Sequence, residues 1–208
     1  MALDLEEQEQ VDQLKALWKK YGDYITKGAI AFFVLYGLFQ GWGYYQNKQS
    51  LAASELYQGI TVLDEKNTKE IIEKSQRLID DYSGTPYAGR AAILFAKASY
   101  ADGTKDKAKE KLEWASRHAK ESATESIALI QLGQILLEEK KYDEALKKAN
   151  AVDNEGYLGL SNDLKGDVLN AMGKKEDAKK AYLEALKRFG PKDSYARFTQ
   201  EKLESLGV

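Results

Sequence analysis

Residues 126–152, "SIALIQLGQILLEEKKYDEALKKANAV", decide the fold of this chain. Leu129, Leu132, Gly133 and Leu136 recur at the short intervals of a helix with one apolar face. The charged run from Glu138 to Lys141 interrupts that face, and Tyr142 and Ala145 then open a second one. In the first helix a large residue, Leu132, stands beside a small one, Gly133; in the second, Ala145 removes bulk where the two helices cross. Two antiparallel helices drawn together through small residues are the expected result.

Aligned on Ala145, the pattern returns on both sides, at tetratricopeptide-like spacing. In "DVLNAMGKKEDAKKAYLEALKRFGP", residues 167–191, Ala178 stands 33 residues further on, with Gly166 just upstream in the small position, Gly173 in the turn, and Tyr182 and Ala185 on the second helix. Gly190 and Pro191 should close that unit, glycine as cap and proline as stop. In "AAILFAKASYADGTKDKAKEKLEWA", residues 91–115, Ala96, Ala108, Leu112 and Ala115 fit again, with Ala108 37 residues before Ala145. A more degenerate pair, Leu51 to Leu63 and Lys69 to Tyr82, leads into "YSGTPYAGRAA", where Thr85 is placed to cap the next helix and Pro86 to begin it. At the carboxy terminus Tyr195, Phe198, Leu203 and Leu206 fall roughly on one side of a closing helix. The expectation is a divergent helical-hairpin solenoid, whose stacked first helices make a concave surface for segments of other proteins.

Composition agrees and excludes several functions. Charged residues make up 31% of 208, there are two prolines and no cysteine, so helices are favoured while disulfides, thiolate nucleophiles and cysteine metal sites are ruled out. The net charge of −2 resides in the first 27 residues, and the balanced remainder offers no electrostatic footprint for nucleic acid. His118, the sole histidine, lies late in a second helix beside Arg117 and reads as a helix-end cation. Adjacent acids such as Asp80–Asp81 and Glu138–Glu139 point about 100° apart on a helix and read as solvated faces. No catalytic, cofactor-binding or metal-binding residue is expected, and no cofactor.

The longest apolar run is "KGAIAFFVLYGLFQGWGYYQNK", residues 27–48. From Gly28 to Tyr45 it carries no charge, and a helix of that length covers about 27 Å, close to a bilayer core. Trp18, Tyr21, Tyr24 and Lys27 on one side, and Trp42, Tyr44 and Tyr45 on the other, have the chemistry of interface anchors. A removable leader would want a short basic start, whereas 27 residues with six acids come first. The expected organisation is therefore an amphipathic cytoplasmic segment (1–24), a single transmembrane helix (25–46) and a periplasmic domain (47–208), oriented by the lysines that precede the span. Gly37 and Gly41, with Gln40 between them, have the spacing that lets a second helix approach, in another protein or in a homodimer.

With these residues on the page, the chain resembles the ancillary subunit of the SecYEG translocon. The likeness rests on the opening "LEEQEQVDQLKALWKKYGDYI", on the apolar run with Trp42 near its end, and on the repeats introduced by "YSGTPYAGRAA". It implies a non-enzymatic, single-pass inner-membrane protein, cytoplasmic at its amino terminus, whose periplasmic repeats attend exported polypeptides as they leave the translocon. It also implies association with a membrane-anchored periplasmic chaperone of prolyl-isomerase type, and links the cytoplasmic segment to stress regulation. The rival expectation is a membrane-anchored scaffold that joins envelope proteins without binding clients.

Overall fold

Ala, Leu, Lys and Glu dominate the repeats, so the backbone can satisfy its polar groups locally and bury one face of each helix. The structure, a computed structural model, describes residues 5–190 and 193–207. Among these the α-helices are α1 (Leu5–Thr61), α2 (Thr68–Tyr82), α3 (Pro86–Ala101), α4 (Lys105–His118), α5 (Ser122–Glu138), α6 (Tyr142–Asn150), α7 (Leu158–Ala171), α8 (Lys175–Arg188) and α9 (Ser194–Ser205), with a short 3-10 turn at Glu155–Tyr157. Pro191, expected to act as a helix stop, lies outside the described residues. The chain divides after Lys48 into two units.

In the second unit each helix from α2 to α9 packs on the next, while α3 also touches α5 and α5 touches α7. This is the connectivity of stacked hairpins, with the first helices forming one continuous inner row. The last turns of α1 join the same core through Ile60, flanked by Leu56 and Tyr57. Ala108, Ala145 and Ala178 are wholly buried, as positions of closest helix approach require.

Three turns show how alike the units are. Thr104 donates its backbone N–H to Ser99, Lys141 to Leu136 and Lys174 to Leu169, at 2.8, 2.9 and 2.9 Å, the long bond of a Schellman cap. Each needs a left-handed residue just before, which is Gly103 (φ 79°), Lys140 (φ 61°) and Gly173 (φ 77°). A side chain in that region costs roughly 1 kcal/mol that glycine avoids. Lys140→Gly is expected to stabilise the repeat unit by about 0.5 kcal/mol, after the entropy glycine loses on folding, read as a higher urea midpoint.

Proline opens α3, but Thr85 does not cap it through its side chain. Its backbone is extended before Pro86, and its hydroxyl donates backward to the Tyr82 carbonyl at 2.8 Å, tying α2 to the turn.

The expected membrane span is overturned. Among the described residues no helix is long and apolar enough to cross a membrane. The length is present, since α1 has 57 residues. The apolarity is not: half the positions from Gly28 to Tyr45 are glycine, glutamine, tyrosine or tryptophan, which dilute the aliphatic and phenylalanine content a bilayer core rewards. With the span falls the single-pass inner-membrane placement, and with it the cytoplasmic and periplasmic assignment of the two ends.

The closing helix docks by only half of the residues expected, Leu203 and Leu206. Tyr195 and Phe198 are about half exposed, whereas Thr199 and Leu206 are buried and Leu203 packs beside them. Leu206 joins Tyr182 and Ala178 in a small cluster separate from the main core. Thr199 Oγ1 donates to Asp163 Oδ1 at 2.7 Å, and Lys202 Nζ donates to Asp163 Oδ2 and Asp167 Oδ2, each at 2.7 Å. Tyr182 completes the group, its hydroxyl donating to Asp167 Oδ1 at 2.9 Å. Burial raises the Asp167 carboxyl despite this company, and keeps the Tyr182 phenol protonated.

Candidate protein-binding groove

Lys97, Gln134 and Asp167 follow the small residues Ala96, Gly133 and Gly166, and so occupy one register position on the inner row α3, α5 and α7. At the amino-terminal end of that row an open cleft of about 950 Å³ lies between the end of α1, the start of α2 and α3. Ile60, Leu63, Ile71 and Leu94 line it with apolar surface, and Asp64, Lys66 and Asp102 add charge. Lys97 borders this cleft and also a smaller pocket of about 250 Å³ between α3 and α5, with Tyr100, Gln134 and Ile135. Apolar surface beside fixed polar groups is what an extended polypeptide with alternating side chains can use.

Ion pairs link neighbouring units along the row. Arg90 on α3 donates to both oxygens of Glu121 just before α5; Lys105 and Tyr100 both donate to Glu138. Lys109 donates to Glu139 at 2.5 Å and Lys148 to Glu113 at 2.5 Å. The partners stand 30 to 38 residues apart, about one repeat. Glu138 and Glu139 are therefore staples between units, not the merely solvated face their adjacency suggested. The pairing has no signal in the repeat register, because Lys105 and Lys109 reach forward to Glu138 and Glu139 while Lys148 reaches back to Glu113.

These lysines and Arg90 lower the carboxyls they hold: Lys148 acts on Glu113, Arg90 on Glu121, Lys105 on Glu138, and Lys109 with Lys141 brings Glu139 to about 2. A carboxylate lowered on folding contributes stability that is present above its unfolded value, near 4.5, and is lost as pH falls toward the folded one. Asp167, raised by burial, works in the opposite sense. The four glutamates outnumber it, so the urea midpoint of the repeat unit is expected to hold steady from pH 7 to 5 and to fall progressively from pH 4.5 downward, a trend that midpoints measured at successive pH values would check.

The tyrosines of the repeat unit divide between core and surface. Tyr182 is a packing residue, and Tyr87 is half-buried against Tyr57, 5.7 Å between ring centroids. Tyr142 and Tyr157 pack on the core. Tyr100 faces the inner pocket, and Tyr195 stacks on Phe189 at 6.1 Å. The repeat-defining residues Ala96, Leu132, Gly133, Ala145, Gly166 and Ala178 are buried in the unit. His118 Nδ1 donates to the Trp114 carbonyl, 2.9 Å away, with its ring stacked on that indole.

On α1 the residues taken as interface anchors, Trp18, Tyr21, Tyr24, Lys27, Trp42, Tyr44 and Tyr45, are exposed. Lys27 pairs with Asp23 at 2.7 Å. A Cβ added at Gly37 or Gly41 would meet nothing within 4 Å, and Gln40 donates to the Tyr36 hydroxyl of its own helix at 3.3 Å.

Comparison with known proteins settles the kinship. A family model described as a tetratricopeptide repeat-like domain matches residues 15–208. A protein of Neisseria gonorrhoeae named "Ancillary SecYEG translocon subunit" is 32% identical over 221 aligned residues, covering 99% of this chain and 100% of the relative. The chain belongs to the family of ancillary SecYEG translocon subunits. Ancillary subunits from Aggregatibacter actinomycetemcomitans and Escherichia coli are 26% and 22% identical, covering 91% and 97% of this chain and 93% and 97% of their own lengths. No solved structure matches. The ancillary subunits are a non-catalytic family, and this chain is not an enzyme.

Proposed function

We propose that the chain is an accessory subunit of the Sec translocon whose repeat unit holds segments of exported polypeptides, chaperone-like, along the inner row of α3, α5 and α7. The observation that carries this reading is the full-length kinship with proteins named as translocon subunits. The groove supports the second half: apolar surface beside polar side chains suits an extended chain better than a folded domain. A chaperone of prolyl-isomerase type is then a neighbour acting on the same client rather than the occupant of the groove. A homodimer adds nothing that the groove requires.

Photocrosslinking tests the two halves separately. With a photoreactive residue in place of Gln134, adducts to secretory precursors are expected while translocation is under way and absent when it is blocked. Adducts confined to stably folded envelope proteins would favour the scaffold reading and sink client binding. Co-isolation of SecYEG with the full chain tests the translocon half, and its absence would remove that half alone.

A further inference from the structure

Helix α9 is attached outside the main core, on the small cluster it shares with α8. It touches the stack through α8 and through side chains of α7, outside the main core, in the small cluster of Tyr182, Leu203 and Leu206. Much of its hold is polar: Lys202 sits between Asp163 and Asp167, Thr199 donates to Asp163, and Lys175 Nζ donates to the Leu206 carbonyl at 2.9 Å. The position of the two aspartates matters. By repeat register Asp167 corresponds to Lys97 and Gln134, and both of those line the inner pocket between α3 and α5. Helix α9 therefore lies where the first helix of a further unit would continue the inner row, with no second helix behind it among the described residues.

We propose that α9 is a latch that undocks as a unit while α3 to α8 remain folded, with Lys202 as the clasp. A helix held by one small cluster and a few side-chain hydrogen bonds opens at lower free energy than a helix embedded in the common core. Undocking bares Asp163, Asp167 and the apolar flank of Tyr182, lengthening the inner row by the width of one helix. The consequence for client binding rests on the function proposed above; the undocking does not.

Hydrogen–deuterium exchange on the full chain tests it without any ligand. In the unaltered protein, amides of residues 198–206 are expected to exchange at least tenfold faster than those of residues 128–136 in α5. Lys202→Met, which strands two half-buried carboxylates, is expected to accelerate exchange in α9 a further tenfold or more and leave α3 to α6 unchanged. Lys202→Arg keeps the charge and should restore most of the protection. Exchange in α9 as slow as in α5 would overturn the latch, as would an acceleration by Lys202→Met spread evenly over the repeat unit. Because the readout is local exchange, loss of crosslinking to clients leaves this result untouched.

Discussion

Gly166→Ala is expected to destabilise the repeat unit by about 2–3 kcal/mol, a large fraction of the stability of an ordinary domain. A Cβ at Gly166 would lie 2.3 Å from the Tyr182 ring, well inside contact distance. The ring has nowhere to go, since Tyr182 is 1% exposed and its hydroxyl is fixed on Asp167 at 2.9 Å. Alanine's better helix propensity returns roughly 1 kcal/mol, which is included in that figure. Gly133→Ala at the equivalent place is the control. There the nearest atom is the Leu164 Cδ2 methyl at 2.7 Å, the tip of a side chain that can turn, and a loss below about 1 kcal/mol is expected. Urea titrations of the two variants would decide, and equal losses would refute the role given to the Tyr182 ring.

Leu132→Ala should cost about 3 kcal/mol. Leu132 is 2% exposed on α5, the helix packed by α3, α4, α6 and α7, so the space left by its branched end is walled on several sides. Leu183→Ala, on the exposed side of α8, removes the same atoms where water replaces them and is expected to cost less than about 0.5 kcal/mol. In a stacked array the loss at α5 should spread to both neighbours, so a single unfolding transition should move rather than split.

Much of this architecture could be read before any coordinates. The intervals around Leu132 and Ala145 specify helices, and the recurrence at Ala108 and Ala178 specifies their stacking, because apolar periodicity and small crossing residues act over a few turns of chain. Glycine at 173 announced one of the turns, and glycine at 103 carried the same signal unread; lysine at 140 hid the third, since its φ is imposed by the cap hydrogen bonds and not by its own preference. The length of the run from Gly28 to Tyr45, its lack of charge and its flanking aromatics point to a membrane span, but the glycines and polar tips within it leave it too little apolar to be one.

By itself the sequence determined the helices, their pairing into repeats and the kinship, which rest on local spacing and residue type. Only the tertiary structure decided which lysine meets which glutamate across a repeat, which face of α9 is buried, and why glycine stands opposite Tyr182. Those outcomes depend on residues of different helices arriving within 3 Å of one another, as Lys109 and Glu139 do, and it is the packing angle of whole helices that sets such a distance.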